Sequence, residues 1–298
     1  MIYQPRGLDH IVHAVRDLDA AALFYRRLGF LVGPRNRHSW GTENHIVQLD
    51  GFFIEILALT SPELLDRDVE HAGLARHFGC FQRDALLRGE GFSMLILHSD
   101  DVAADAMLFA RLGIAQSAEL VFTRQGQQPD GELVRVGFSL AFVSEVLSPA
   151  IGFAVMRQHN PARFWNKSAQ AHPNGAHGVA GVALTADSPT DHYTFLEAFS
   201  GQRELHSTSL GLLARTPRGS IEVVEPISYM DRFGLVPPII GDAMTLGALR
   251  IGLRWPNRIV EHLKEQGIAH AQRGEAVIVA PETAFGATLV FEPESRPD

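Results

Sequence analysis

The stretch LDHIVHAVRDLDAAALFYRRLG, Leu8 to Gly29, decides the fold. Leu8 to Val15 is dense in β-branched and apolar residues and reads as a strand. Asp17 or Asp19 stands where a helix N-cap belongs, Ala20 to Leu28 has helical composition, and Gly29 supplies the stop. Further on, Phe30 to Val32, His45 to Leu49 and Phe52 to Leu57 predict three more strands. Asp50-Gly51 marks a hairpin turn between the last two. The unit is therefore strand, helix, then three strands.

The same order recurs. Phe92 to His98 predicts a strand, Val102 to Leu112 a helix and Gly113 its stop. Asp17 and Asp101 are 84 residues apart, as are Leu28 and Leu112. Strands at Glu119 to Thr123, Leu133 to Val143 and Gly152 to Arg157 complete the second unit. A third runs through a strand at Gly178 to Thr185, a helix at Pro189 to Phe199, and strands at Arg203 to His206, Leu210 to Thr216 and Ser220 to Val224. A fourth has a strand at Leu246 to Leu253, a helix at Pro256 to Gln266, and strands at Val277 to Ala280 and Ala287 to Phe291. One such unit cannot bury its own apolar face, whereas two can close a cup around a cavity. We therefore expect an α+β fold of four tandem βαβββ modules paired into two cup-shaped domains. Residues 1–160 would form the first, 161–177 a linker and 178–298 the second. Ser61 to Glu90 reads as an insertion with weak helical patterning at Ala75 to Leu87.

Composition fits a chain that can bury a sizeable core, with 46% hydrophobic and 20% charged residues among 298. The formal charge of −8, with no concentration of Lys and Arg, argues against a nucleic-acid track. The single cysteine, Cys80, excludes an intrachain disulfide and a thiolate cluster. No apolar run nears membrane-spanning length and the N-terminal stretch has no signal core, so a cytoplasmic location is expected. Dinucleotide, Walker, zincin and nucleophile-elbow motifs are absent.

The Leu8-to-Val12 start, the His38-x-Trp40-Gly41-Thr42 loop and the Phe53-Ile-Glu-Ile-Leu57 strand resemble the vicinal-oxygen-chelate superfamily, in particular its glyoxalase-like proteins. The likeness spans essentially the whole chain. In that superfamily the first and last strands of a module supply metal ligands. Carried over, the resemblance implies His10, seven residues before Asp17, and Glu55. An imidazole and a carboxylate without thiolate would suit iron(II), manganese, nickel, cobalt or zinc. A buried carboxylate on an apolar strand also needs a cation or hydrogen-bond donors to meet it.

The second module departs from the pattern. Met94 occupies the first-strand position and no Glu ends the last strand. His159, two residues beyond Arg157, is then the expected third ligand, with both residues on one side of a continuing strand. Without it, Arg157 is the expected partner of Glu55 in a metal-free cavity that binds an anion or a carbonyl. His38, Trp40, Thr42 and Asn44 form a polar-aromatic loop, with His38 a candidate general base and Trp40 and Asn44 candidate substrate contacts. Trp165 would wall the cavity or staple the linker. In the second half Glu222 matches the Glu strand, but the first-strand positions near Ala180 and Leu249 are apolar, so that half reads as degenerate. His71, His77, His98, His172, His177, His192, His206, His262 and His270 are scattered and read mostly as surface or capping residues.

Two functions follow as expectations. One is a glyoxalase-like metalloenzyme, chelating vicinal oxygens of a small carbonyl, enol or phenolic substrate, with isomerase, lyase and oxygenase outcomes open. The other is a metal-free protein of the same fold that binds or sequesters a small aromatic molecule. A ligand triad in the cup discriminates for the first, an arginine facing Glu55 for the second. A homodimer is compatible with either and required by neither.

Overall fold

A computed structural model describes residues 4–65, 72–127 and 132–294; His71 lies outside them. Among the described residues, sixteen strands form two eight-stranded sheets. The first contains β1 Leu8–Ala14, β2 Asn36–Arg37, β3 Thr42–Gln48, β4 Phe53–Leu59, β5 Gly91–His98, β6 Leu120–Gln127, β7 Leu133–Val143 and β8 Gly152–Gln158. The second contains β9 Ala176–Thr185, β10 His206–Thr208, β11 Gly211–Arg215, β12 Ser220–Val224, β13 Thr245–Leu253, β14 Ala271–Arg273, β15 Ala276–Val279 and β16 Thr288–Pro293. The helices are α1 Leu18–Arg27, α2 Ala72–Leu74, α3 Cys80–Arg88, α4 Val102–Leu112, α5 Pro161–Phe164, α6 Tyr193–Ser200, α7 Pro226–Phe233 and α8 Pro256–Glu265.

Both sheets obey one plan. The first runs β2-β3-β4-β1-β5-β8-β7-β6 and the second β10-β11-β12-β9-β13-β16-β15-β14. Within each module the first strand pairs parallel with the last, and the first strands of two modules meet antiparallel at the seam, β1 with β5 and β9 with β13. The first sheet curls until its ends touch: Arg124 of β6 donates to Asn36 of β2 at 2.8 Å, although these strands are at opposite ends of the order.

Strand alternation separates two cores. On β4, Phe53, Glu55 and Leu57 face the hollow, while Ile54, Ile56 and Ala58 join the convex core. That convex core is shared by both halves, through contacts such as Phe153 on Phe195 at 4.9 Å and Phe24 on Phe285 at 5.7 Å. Helix α1 starts where Asp17 accepts from Ala20 N at 2.9 Å, a cap of about 1 kcal/mol, and ends before Gly29 at φ +84°. Asp101 caps α4 in the same way and Gly113 stops it in the left-handed region.

The differences from the sequence reading are local. Phe30 to Val32 is not a strand: Phe30 N bonds back to Tyr25 O, its ring enters the core, and beyond a single Gly33 N–H bond to Ile46 O the next strand is β2, after Pro34. The short exposed strand β14 and helix α7 were not anticipated, although Pro226 in a first turn and Gly234 beyond the end are ordinary helix signals. The insertion holds a π-helical turn at Ala75–Gly79 leading into α3. Between the sheets, Gln158 to Ala176 is not featureless but carries α5 and a 3₁₀ turn at Ser168–Gln170. His172 and His192 are buried rather than surface residues.

Candidate functional site

The hollow of the first sheet is a cup with about 460 Å³ of empty space, its open mouth included. Its walls are Trp40, Ile46, Phe53, Leu74, Phe78, Phe122, Phe138, Leu140, Met156 and Phe164; its polar groups are His10, His38, Asn44, Glu55 and Arg124.

His10 owes its position to an irregularity in β1. Leu8 pairs with Leu97 but His10 with Ile96, so Asp9 is an extra residue on this strand, and the bulge lets both Asp9 and His10 be buried. Asp9 Oδ1 lies 2.7 Å from His10 Nδ1. With the proton on Nδ1, this contact turns the Nε2 lone pair into the cup. The ring stacks on Phe53 at 4.2 Å. Burial alone would raise the pKa of Asp9, but hydrogen bonds and charge from His10 and His98 outweigh it and hold the carboxyl below its ordinary value. His98, half-exposed, sits 3.8 Å from the other Asp9 oxygen and 3.2 Å from Asp100. Nothing in the sequence pattern marked Asp9 except its place beside His10.

Glu55 is buried among apolar side chains. Burial pushes its carboxyl up, and the charge of His10, the Asn44 amide and Arg124 offset part of that. Its Oε2 is 3.9 Å from His10 Nε2, too far for a hydrogen bond and near enough for one ligand atom to touch both. Asn44 Nδ2 donates to Glu55 Oε1. Asn36 Nδ2 in turn donates to Asn44 Oδ1 at 2.9 Å, and Arg124 Nη1 to Asn36 Oδ1 at 2.8 Å. A relay of two asparagines thus separates carboxylate from guanidinium.

His38, Trp40 and Asn44 all reach the cup. His38 stacks on Trp40 at 4.5 Å, and its Nδ1 is 2.8 Å from Thr42 Oγ1. Burial, then the charge of Arg124, lower its pKa to about 3, so it is neutral at physiological pH and a weak base. Trp165 lies behind the wall that Phe164 forms, in contact with Phe53 at 6.0 Å and Phe164 at 5.0 Å.

Two expected residues are elsewhere. Met156 and Gln158 face inwards on β8, which turns Arg157 outwards and exposes it; the cation near Glu55 is Arg124 instead. His159 follows on the outer side, exposed, with Nε2 2.9 Å from Ser139 Oγ and its backbone N–H on Gly137 O. A single residue of register separates an inward His159 from the observed one. Sequence reading missed Arg124 because β6 gave no family motif.

The donor set bears on a metal. His10 and Glu55 offer two donors and Asp9 orients the first, as carboxylates do behind metal-ligating histidines. Among the described residues, however, no group of three or more His, Cys, Asp or Glu side chains is placed to hold a metal ion. Met94 and Ala154 occupy the second module's counterparts of His10 and Glu55, so that module adds no donor. Two donors fall short of the usual three or four, so the residues do not fit a tightly held resident ion.

In the second hollow, α7 occupies the space. Tyr229 is fully buried there, its hydroxyl donating to Gly247 O at 3.1 Å or Thr288 Oγ1 at 3.0 Å. Arg250 binds Glu292 and Glu222, and Arg232 also binds Glu222.

Two curled eight-stranded sheets built from paired βαβββ modules are the glyoxalase-like, vicinal-oxygen-chelate fold. The family model described as a glyoxalase-like domain matches residues 8–199, and the chain belongs to that family. Across solved structures, a hypothetical protein from Staphylococcus aureus aligns at TM-score 0.65 and 13% identity, covering 97% of this chain and 100% of that one. A glyoxalase from Novosphingobium aromaticivorans, described as Mn(II)-bound, aligns at TM-score 0.55 and 12% identity, covering 98% of this chain and 83% of that one. At such identities the likeness is one of fold. No curated protein matches the chain. Among the described residues, no helix is long and apolar enough to cross a membrane.

Proposed function

We propose that the first cup binds a small, flat, largely apolar organic molecule without a resident metal ion and presents its polar atom to His10 and Glu55. The observation that carries this reading is the convergence of an aromatic enclosure onto one imidazole–carboxyl gap of 3.9 Å. A ligand oxygen in that gap would accept from the raised-pKa carboxyl of Glu55 or donate to His10 Nε2. Asp9 would support any positive charge that developed on the ring. Such a centre can move a proton on or off a carbonyl, enol or phenol, and binding alone is the minimum it supports. We assign the site to residues 1–160 together with Phe164, leaving the second domain as its support.

A second reading keeps a divalent ion on His10 and Glu55, favoured by the approach of Nε2 and Oε2 with Asp9 behind. Metal content separates the two. Protein purified without a polyhistidine tag, wild type and His10→Ala, would be assayed by mass spectrometry for iron, manganese, nickel, cobalt and zinc. We expect substoichiometric metal in both. Near-stoichiometric metal that disappears in the variant would overturn the metal-free reading.

A further inference from the structure

We infer that Arg124 is the anion-recognising group of the first cup and that the natural ligand is a small acid, a carboxylate carried on an aromatic or similarly flat apolar body. This rests on the reading of the cup as a small-molecule site and adds the ligand's charge. Arg124 lines the cup with its guanidinium 5.7 Å from the Phe138 ring, on the side where Trp40 and Phe122 stand. Its Nη1 is spent on Asn36 Oδ1 and Gln125 O. Among the described residues, Nε and Nη2 have no hydrogen-bond partner. They form the edge of the guanidinium that fits a carboxylate through two parallel bonds.

Glu55 does not take that edge. One of its oxygens accepts from Asn44 and the other is turned to His10. The second cup supplies the contrast: Arg250 gives Nε and Nη2 to the two oxygens of Glu292 and Nη1 to Glu222. An arginine that serves only structure is saturated in this way, since a guanidinium taken out of water is costly unless its donors are met. Arg124 keeps the matching edge open inside an aromatic enclosure, which is the arrangement an acidic ligand completes.

The test measures affinities of the full chain for benzoate and 2-naphthoate against benzamide and 2-naphthamide, which keep the flat body and lose the charge. Titration calorimetry would be run on wild type, Arg124→Gln and Arg124→Lys. We expect the acids to bind at least about tenfold tighter than the amides in wild type, and the preference to vanish in Arg124→Gln. Arg124→Lys keeps the charge without the fork and should retain part of it; it also serves if the glutamine variant does not fold. Amides binding as tightly as acids, or Arg124→Gln retaining the preference, would overturn the inference while the small-molecule reading stood. No binding of either series at millimolar concentration would overturn both.

Discussion

The two cups of this molecule are built on one strand order and have opposite interiors. In the first, the hollow is open, its carboxyl Glu55 faces an imidazole across a gap, and its arginine has donors to spare. In the second, α7 fills the hollow with Tyr229 and Phe233, and the carboxylates Glu222 and Glu292 are locked onto Arg250. Glu222 sits on the same strand of its module as Glu55 does, so position alone does not make a site. What differs is whether the chain itself supplies the occupant.

The largest effect should come from removing that occupant. Tyr229→Ala deletes a fully buried ring with two available acceptors, and we expect a loss of about 3–5 kcal/mol in urea unfolding. Acid binding by the refolded or residual native protein should be unchanged. An unchanged urea midpoint would mean that α7 does not plug the second cup.

Next come the arginines. Arg250→Met leaves two carboxylates facing each other with little solvent and should cost roughly 2–4 kcal/mol, short of a fully buried pair because the groups keep some exposure. Arg124→Met breaks no direct ion pair and should cost under about 1 kcal/mol while weakening acid binding. Equal costs for the two substitutions would show that Arg124 is a structural cation like its counterpart.

Acid sensitivity should also divide the halves. Burial lowers His13 to about 4 and His172 to about 4, each against a hydrogen bond to a backbone carbonyl, Phe285 O and Gln48 O respectively, and lowers His38 to about 3. All three belong to the first half or to the linker. Below the unfolded value of 6.5 the unfolded chain takes up protons that the native state refuses. Stability is therefore fully present above that value and falls as pH drops towards 4, by on the order of 1–3 kcal/mol per histidine. Urea midpoints between pH 7.5 and 5 would measure it, and His13→Gln should flatten the slope. A slope that stays the same in both His13→Gln and His172→Gln would assign the acid sensitivity elsewhere.

Much of this fold was legible because the signals were local. Asp17 with Gly29 and Asp101 with Gly113 bracket helices by capping chemistry that needs no tertiary information. His10 and Glu55 were legible through motif position. Asp9 was not, because its burial depends on a bulge set by pairing with β5. Arg124 was not, because it reaches the cup only when the sheet curls and β6 meets β2. Side-chain direction at the end of β8 was decided by register, which no residue type near Arg157 announces.

The smallest expected effect tests that register. On β8, Met156 lines the cup and Gln158 is buried, so Arg157 and His159 belong to the other face. His159 Nε2 reaches Ser139 Oγ, and its ring lies over Gly137, where an added Cβ would come within 2.7 Å of Nδ1. An exposed imidazole with one such hydrogen bond contributes little, so His159→Ala and Arg157→Ala should each shift stability by less than about 0.5 kcal/mol. Neither should alter acid affinity or metal content. Loss of bound metal in His159→Ala would mean that β8 pairs one residue out of the observed register, with His159 inside. The first cup would then hold three donors, and its difference from the second would be a metal site rather than an open arginine.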